Sequence, residues 1–402
     1  MDAPFRVPAT EIENRIDSFQ ALLSERGLEA ALIVQRVDLF YFTGTAQNGL
    51  LYVPAKGTPM LGIRRQLERA REETSLEQVV ALSRVREMPQ RIRQGYGRLP
   101  RRLGLELDVL PVRDYRFLRE IFEMPQVEDI SDWILQQRAV KSAWEIKQVQ
   151  NTAARSRHTF DYLQQILEPG LTEMEFAAMG EAHARKYGHA GRLRSRHFQS
   201  EVYPWHVLSG PNSGKPGLLD SPFSGAGTSA AFPCGAGNRR MRAGEPILVD
   251  FGWVHNGYHV DETRMFAIGD LPEPVLKAYQ AAVAVHDALL EAARPGMKSG
   301  ALFELAVTVA DRLGYSNFFL GTAAGKVRFV GHGIGLELVE PPLIAAHRSD
   351  PLLPGTVFAL EPKLCFNGHF GVGIESVFQM TKTDCQLLSR VPVKLFQVPS
   401  TG

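Results

Sequence analysis

The 402-residue chain is short of cysteine, of charge imbalance and of long apolar runs, and each shortage removes a class of protein. Its three cysteines, Cys234, Cys365 and Cys385, are odd in number and show no C-x-x-C spacing, which argues against a disulfide framework and a thiolate zinc site and suits a reducing compartment. Lys and Arg total 45 against 44 Asp and Glu, with no long run of either sign, so the basic footprint of a nucleic-acid binder is missing. No apolar stretch reaches the ~18 residues of a membrane span. The opening "MDAPFRVPATEIENRIDSFQ" has neither the basic start nor the apolar core of a secretory signal. The expectation is a soluble cytoplasmic protein with no nucleic-acid and no membrane partner. H-E-x-x-H and G-x-S-x-G are absent, and "GTAAGKV" and "GPNSGKP" are one residue short of a phosphate loop and lack its Ser or Thr.

What is present has the length for two domains. In "EIENRIDSFQALLSERG" Ile12, Ile16, Phe19, Leu22 and Leu23 share one helical face, and Ala30 to Val34 reads as a buried strand. "LLYVPAKGTPMLGI" reads as two strands around a turn and "LGLELDVLPVRDYRFLREIF" as a strand leading into a helix, together an α/β domain over residues 1–138. The second domain, 139–402, opens with a helix carrying Ile146, Val149 and Ala153 that stops at Pro169-Gly170. It contains a repeat. Asp161, Pro169, Gly170 and Gly188 recur at one constant offset as Asp287, Pro295, Gly296 and Gly314, each copy reading as helix, Pro-Gly break, helix. Thr172 and Glu175 form a capping-box pattern in the first copy.

Downstream, Gly244, Asp250 and Asn256-Gly257 correspond to Gly355, Glu361 and Asn367-Gly368 at a second constant offset. Asn-Gly between apolar runs is a strong hairpin signal, because both residues tolerate positive φ. A two-residue turn at Asn256-Gly257 puts Asp250 opposite Thr263 and sets Asp261 on the same face, one diagonal step away. In the second hairpin a three-residue loop, Asn367-Gly368-His369, or a bulge sets Glu361 opposite Glu375.

A single Asp on a strand is as a rule a turn or cap residue, and a lone His between glycines a loop feature. Here the set is what matters. Four carboxylates aimed into a core repel one another and lose hydration unless something positive lies between them. "VRFVGHGIGLELVEPP" adds His332 between glycines after an apolar strand. A carboxylate-rich site with one imidazole and no thiolate suits manganese, cobalt, iron or zinc, and bridging carboxylates can hold two ions about 3.5–4 Å apart. His286, on the apolar face of a helix, reads as core; His255, His259 and His369 flank turns and read as surface or rim. Arg192, Arg194 and Arg196 read as a solvated basic loop.

Asp250, Asp261, His332, Glu361 and Glu375, within "ILVDFG", "VDETRMF", "GHGIGLEL", "ALEPKL" and "VGIESVF", resemble the dinuclear metal signature of the pita-bread metallopeptidase family, which includes Xaa-Pro aminopeptidases, prolidases, methionine aminopeptidases and creatinases. "RIDSFQALLSERGLEAALIVQRVDLFYFTGT" resembles the N-terminal domain of the creatinase and prolidase branch, and "RAVKSAWEIKQVQNTA" its inter-domain helix. The resemblance spans nearly the whole chain. It implies an α/β creatinase-like N-terminal domain and a pseudo-twofold α+β pita-bread catalytic domain. It further implies two divalent ions, manganese first, on the five residues named, with Glu361 as ligand and general base, and a homodimer acting on a small peptide or small molecule.

The chain departs from that pattern where the peptidases place groups that bind substrate and the tetrahedral intermediate. Histidines are replaced by Gly217, Arg328 and Val339, and an arginine by Gly373. His206, Tyr203, Lys215 and Glu340 are the candidates to substitute, and the Gly-, Ser- and Pro-rich stretch between Ser200 and Gly244 reads as an active-site loop. Three readings stay open: an Xaa-Pro aminopeptidase or dipeptidase, a hydrolase of a non-peptide C–N bond in a small carboxylated metabolite, and a catalytically inactive binding member of the family. The ligand assignment predicts that Asp261→Ala abolishes both metal binding and activity. Elemental analysis checks this, and a variant still carrying its full metal complement would refute the assignment.

Overall fold

The first elements follow from the periodicities above. The computed structural model describes residues 5–196, 205–323 and 325–400. Two compact units divide the chain, the first ending at Arg138 and the second beginning at Ala139.

In the first unit α1 (Ala9–Glu25) buries Ile12, Ile16, Phe19 and Leu23, the stripe expected of an amphipathic helix. It is followed by β1 (Ala30–Ile33), α2 (Arg36–Thr43), β2 (Gly49–Pro54), β3 (Met60–Ile63), α3 (Leu67–Glu73), β4 (Gln78–Ala81), α4 (Met88–Tyr96), β5 (Arg102–Leu105), α5 (Val112–Ile121), β6 (Gln126–Asp129) and α6 (Ser131–Ala139). The strands form one six-stranded mixed sheet in the order β4-β3-β2-β1-β5-β6. β1 is buried at all four positions, as a continuous apolar strand in the middle of a covered sheet must be.

The second unit starts with α7 (Ala143–Ile166) and α8 (Glu173–Lys186), each opened by a reciprocal capping box, Ser142 with Glu145 and Thr172 with Glu175. Then come β7 (Trp205–Ser209), β8 (Pro246–His255), β9 (Tyr258–Ile268), α9 (Glu273–Ala292), α10 (Ser299–Arg312), β10 (Gly321–Thr322), β11 (Gly325–Lys326), β12 (Phe329–Gly333) and β13 (Glu340–Ala345). β14 (Val357–Leu360), β15 (Lys363–Phe366), β16 (Phe370–Gly373), β17 (Ser376–Met380), β18 (Cys385–Leu387) and β19 (Phe396–Val398) complete it. The repeat is visible as two helix pairs, α7 with α8 and α9 with α10, each broken at Pro-Gly. Gly170 and Gly296 hold φ values of 94° and 83° there, a region that costs glycine little.

Two sheets carry the chemistry. One has the order β19-β9-β8-β7 and the other β13-β12-β14-β17-β18, with β15 and β16 extending the second hairpin. α7 and α8 cover the first, while α9 and α10 pack with Leu248, Met265, Phe358 and Phe378 into one core. Thr263 and Glu375 exchange backbone hydrogen bonds where the sheets meet, Thr263 N–H to Glu375 O (3.3 Å) and Glu375 N–H to Thr263 O (3.1 Å). Among the described residues, no helix is long and apolar enough to cross a membrane.

Buried between α8 and the β8–β9 hairpin, His189 accepts the Val254 N–H at Nδ1 (3.1 Å). Burial, with Arg185 adding to it, pushes its pKa down from 6.5 to about 4. The folded state therefore binds fewer protons than the unfolded state between these values, so stability is lost as pH falls from about 6.5 to about 4. The loss amounts to about 3 kcal/mol at most. Thermal unfolding of a His189→Gln variant is expected to show a shallower decline of midpoint across that window; an unchanged acid slope would sink the account.

Candidate active site

The hairpin registers follow from turn length. His255 pairs with Tyr258 across Asn256-Gly257, both at positive φ, so Asp250 faces Thr263 and Asp261 faces Gly252. In the second hairpin Phe366 pairs with Phe370, which leaves a three-residue loop. Leu360 opposite Ser376 and Lys363 opposite Gly373 bracket Glu361 opposite Glu375. His332 comes from β12 between β13 and β14. Its flanking glycines serve a packing role beyond leaving space for a ligand. A Cβ on Gly331 would lie 2.2 Å from Ala359 O and one on Gly333 2.1 Å from Pro341 O, so the neighbouring strands can approach only bare backbone.

All five residues read from the sequence converge. Donor atoms of Asp261, His332 and Glu375 lie within 4.8 Å of one another. His332 Nε2 lies 3.8 Å from Glu361 Oε1 and 3.9 Å from Glu375 Oε1. His332 Nδ1–H donates to Gly333 O (3.0 Å), which turns the Nε2 lone pair towards the carboxylates. Lone pairs thus face lone pairs, and Glu375 Oε1 is buried without a hydrogen-bond partner. This donor set fits a divalent cation held by Asp261, His332, Glu361 and Glu375.

A second feature was not foreseen. Lys363 Nζ donates to Asp250 Oδ2 (3.0 Å), Glu361 Oε2 (2.8 Å) and Glu375 Oε2 (3.2 Å). The ammonium is buried, and Asp250, Glu361 and Glu375 overcome the penalty of that burial to hold its pKa well above the ordinary value. One positive charge does not balance four carboxylates. Burial, reinforced by Asp250, pushes Asp261 well above its ordinary pKa, and burial reinforced by Asp261 does the same to Glu375. Asp250 is held low despite burial, because Lys363 and His206 lie beside it. The cluster therefore has room for a divalent ion beside the ammonium.

Surrounding groups fix these side chains. Thr263 Oγ1 donates to Glu375 Oε2 (3.0 Å), and the buried Arg264 guanidinium donates to the carbonyls of Thr263, Glu375, Val391 and Pro392. Of the candidate substitutes for the absent substrate-binding groups, His206 pairs with Asp250 across β7 and β8 and so shares its face. Glu340 is committed to a buried ion pair with Lys141 (3.0 Å). Lys215 lines a cavity of about 480 Å³ with Glu173, Asn212 and Arg239; Tyr203 lies outside the described residues. Buried Glu173 accepts the N–H and Oγ–H of Ser209, Asn212 Nδ2–H and Gly237 N–H, and so anchors the Gly-rich stretch. Its place in the first turn of α8 was the sequence signal.

His259 corrects the expectation of a rim residue: it is fully buried, donating Nδ1–H to Gly335 O (2.9 Å) and accepting Arg194 N–H at Nε2 (3.1 Å). The arginine loop is thereby tied down at Arg194, where a solvated loop was expected. Among the positions without the peptidase groups, a Cβ on Gly217 would stand 2.9 Å from Ser224 Cβ. Arg328 lines a separate cavity with Lys326 and His347, and Val339 is 40% exposed.

The family model described as "Metallopeptidase family M24" matches residues 147–382, more than half of the chain and all five converging residues. The chain belongs to metallopeptidase family M24. A second model, "Creatinase/Prolidase N-terminal domain", matches residues 15–140. Over 96% of this M24 chain and 100% of the relative, it is 23% identical to the Xaa-Pro dipeptidase of Pyrococcus furiosus. The crystal structure of X-Pro aminopeptidase from Thermotoga maritima superposes with a TM-score of 0.78 at 25% identity, over 95% of this chain and 99% of that one. The Xaa-Pro dipeptidase structure from Bacillus anthracis gives 0.82 at 21% identity, over 96% and 100%. The creatinase/prolidase model thus accounts for the first unit and the M24 model for the second, and divalent-metal chemistry comes with the family.

Proposed function

We propose that this M24 protein is a metal-dependent hydrolase of small amides, with Xaa-Pro dipeptides and peptides with proline in second position as the first substrate class. The observation that carries the reading is the convergence of Asp261, His332, Glu361 and Glu375 around one point, where Glu375 Oε1 is buried without a hydrogen-bond partner. Relatives named Xaa-Pro dipeptidase, matched along nearly the whole chain, supply the substrate class. A divalent ion bound there supplies Lewis-acid polarisation of a carbonyl and acidifies water.

The chain's own residues do the rest. His332 offers Nε2, oriented by the Nδ1–H bond to Gly333 O. Glu361 is the proton carrier: Lys363 holds its Oε2, which leaves Oε1 on the His332 side to take a proton from water and pass it to the leaving amine. Arg264 and Thr263 fix Glu375 by its backbone and its carboxylate, so the ligands need little reorganisation on binding.

A second reading, hydrolysis of a non-peptide C–N bond in a small carboxylated metabolite, is favoured by one set of observations. Gly217, Arg328, Val339 and Gly373 provide no imidazole, and no guanidinium near the cluster, to bind a tetrahedral peptide intermediate. A missing donor of that kind typically costs about 3 kcal/mol of transition-state stabilisation. The test is a panel of Ala-Pro, other Xaa-Pro dipeptides, Xaa-Pro-Xaa tripeptides and small carboxylated amides, run with added manganese. Proline-directed cleavage is expected, with Glu361→Gln lowering kcat by a factor of about 100 or more while KM stays within a few-fold. Cleavage confined to the non-peptide amides would replace the first reading by the second, and a Glu361→Gln variant of wild-type rate would remove Glu361 as the proton carrier.

A further inference from the structure

The carboxylate cluster already contains a cation that is part of the chain. We propose that the Lys363 ammonium permanently fills one of the two cation positions, so that the protein binds a single divalent ion through Asp261, His332, Glu361 and Glu375. This rests on the metal-dependent reading above and settles what that reading leaves open, the number of ions.

The two glutamates are split between the cations. Glu361 gives Oε2 to Lys363 and Oε1 to the His332 side, and Glu375 does the same. Each carboxylate thus bridges the ammonium and the ion position as it would bridge two metals. Asp250, the member on the far side from His332 in this arrangement, is joined to Lys363. An ion bound at about 2.2 Å to Asp250 Oδ2 and Glu375 Oε2 on the side that Nζ occupies would lie within contact distance of it, because the ammonium already sits 3.0 and 3.2 Å from those same oxygens. The two cations exclude each other.

The lysine is built in rather than folded over by chance. It stands opposite Gly373 in the β15–β16 ladder, and a Cβ on Gly373 would come 2.5 Å from Lys363 Cγ, 3.2 Å from its Cβ and 3.3 Å from its Cα. The absence of a side chain at 373 is what lets the lysine stem lie across the ladder towards the carboxylates. The backbone is fixed as well, since Leu320 N–H donates to Lys363 O (3.0 Å). In charge, four carboxylates with one divalent ion and one ammonium leave a net charge of −1, where two divalent ions would leave zero.

The experiment is manganese binding to metal-stripped protein, read by elemental analysis and by electron paramagnetic resonance, for the wild type, Lys363→Ala and Gly373→Ala. The wild type is expected to hold about one ion per chain with the spectrum of an isolated ion. Lys363→Ala is expected to hold about two with an exchange-coupled spectrum. Gly373→Ala, which keeps the lysine but forces its stem aside, is expected to move in the same direction and serves if Lys363→Ala does not fold. Two coupled ions in the wild type would overturn the proposal, as would a folded Lys363→Ala protein with wild-type stoichiometry. Wild-type protein that takes up no manganese would overturn both the single ion and the metal-dependent reading; one ion without amide hydrolysis would overturn only the latter.

Discussion

Four carboxylates buried beside one another cannot all stay ionised unless cations lie among them, and the architecture of the second unit is organised around meeting that constraint. Two hairpins from the two halves of the repeat deliver the acids, and the sheets join where Thr263 and Glu375 exchange backbone hydrogen bonds. That junction sits at the cluster itself. Any loosening of the contact between the sheets therefore moves Glu375 relative to Asp261, and Arg264 braces the junction by holding four carbonyls.

The same constraint explains how much of the site was legible in the sequence. A carboxylate in an apolar strand is conspicuous, and the period of two makes its face computable once the turn is known. Asn256-Gly257 fixes the first hairpin and so Asp250 relative to Asp261, and a three-residue loop or a bulge at Asn367 sets Glu361 opposite Glu375, whereas the meeting of the two hairpins depends on contacts remote in sequence. The repeat was legible because Pro-Gly breaks are local and leave a mark wherever they occur.

Other features were hidden for physical reasons. A lysine extends a long stem and by default reaches water, so Lys363 in "ALEPKLCF" reads as solvated unless one notes that its neighbours Leu364 and Cys365 are core. His259 was misread because nearness to a turn says nothing about depth; its burial comes from Gly335 and Arg194, both remote in sequence. The Gly-rich stretch carries no periodicity, and Ser209, Asn212 and Gly237 within it are held by Glu173, a partner in another element.

The ladder pair of Lys363 and Gly373 has a consequence for how such a site can change over time. With the lysine in place, any larger side chain at 373 collides with its stem. The two positions are thus coupled: a bulky or charged residue at 373 requires a smaller or displaced side chain at 363.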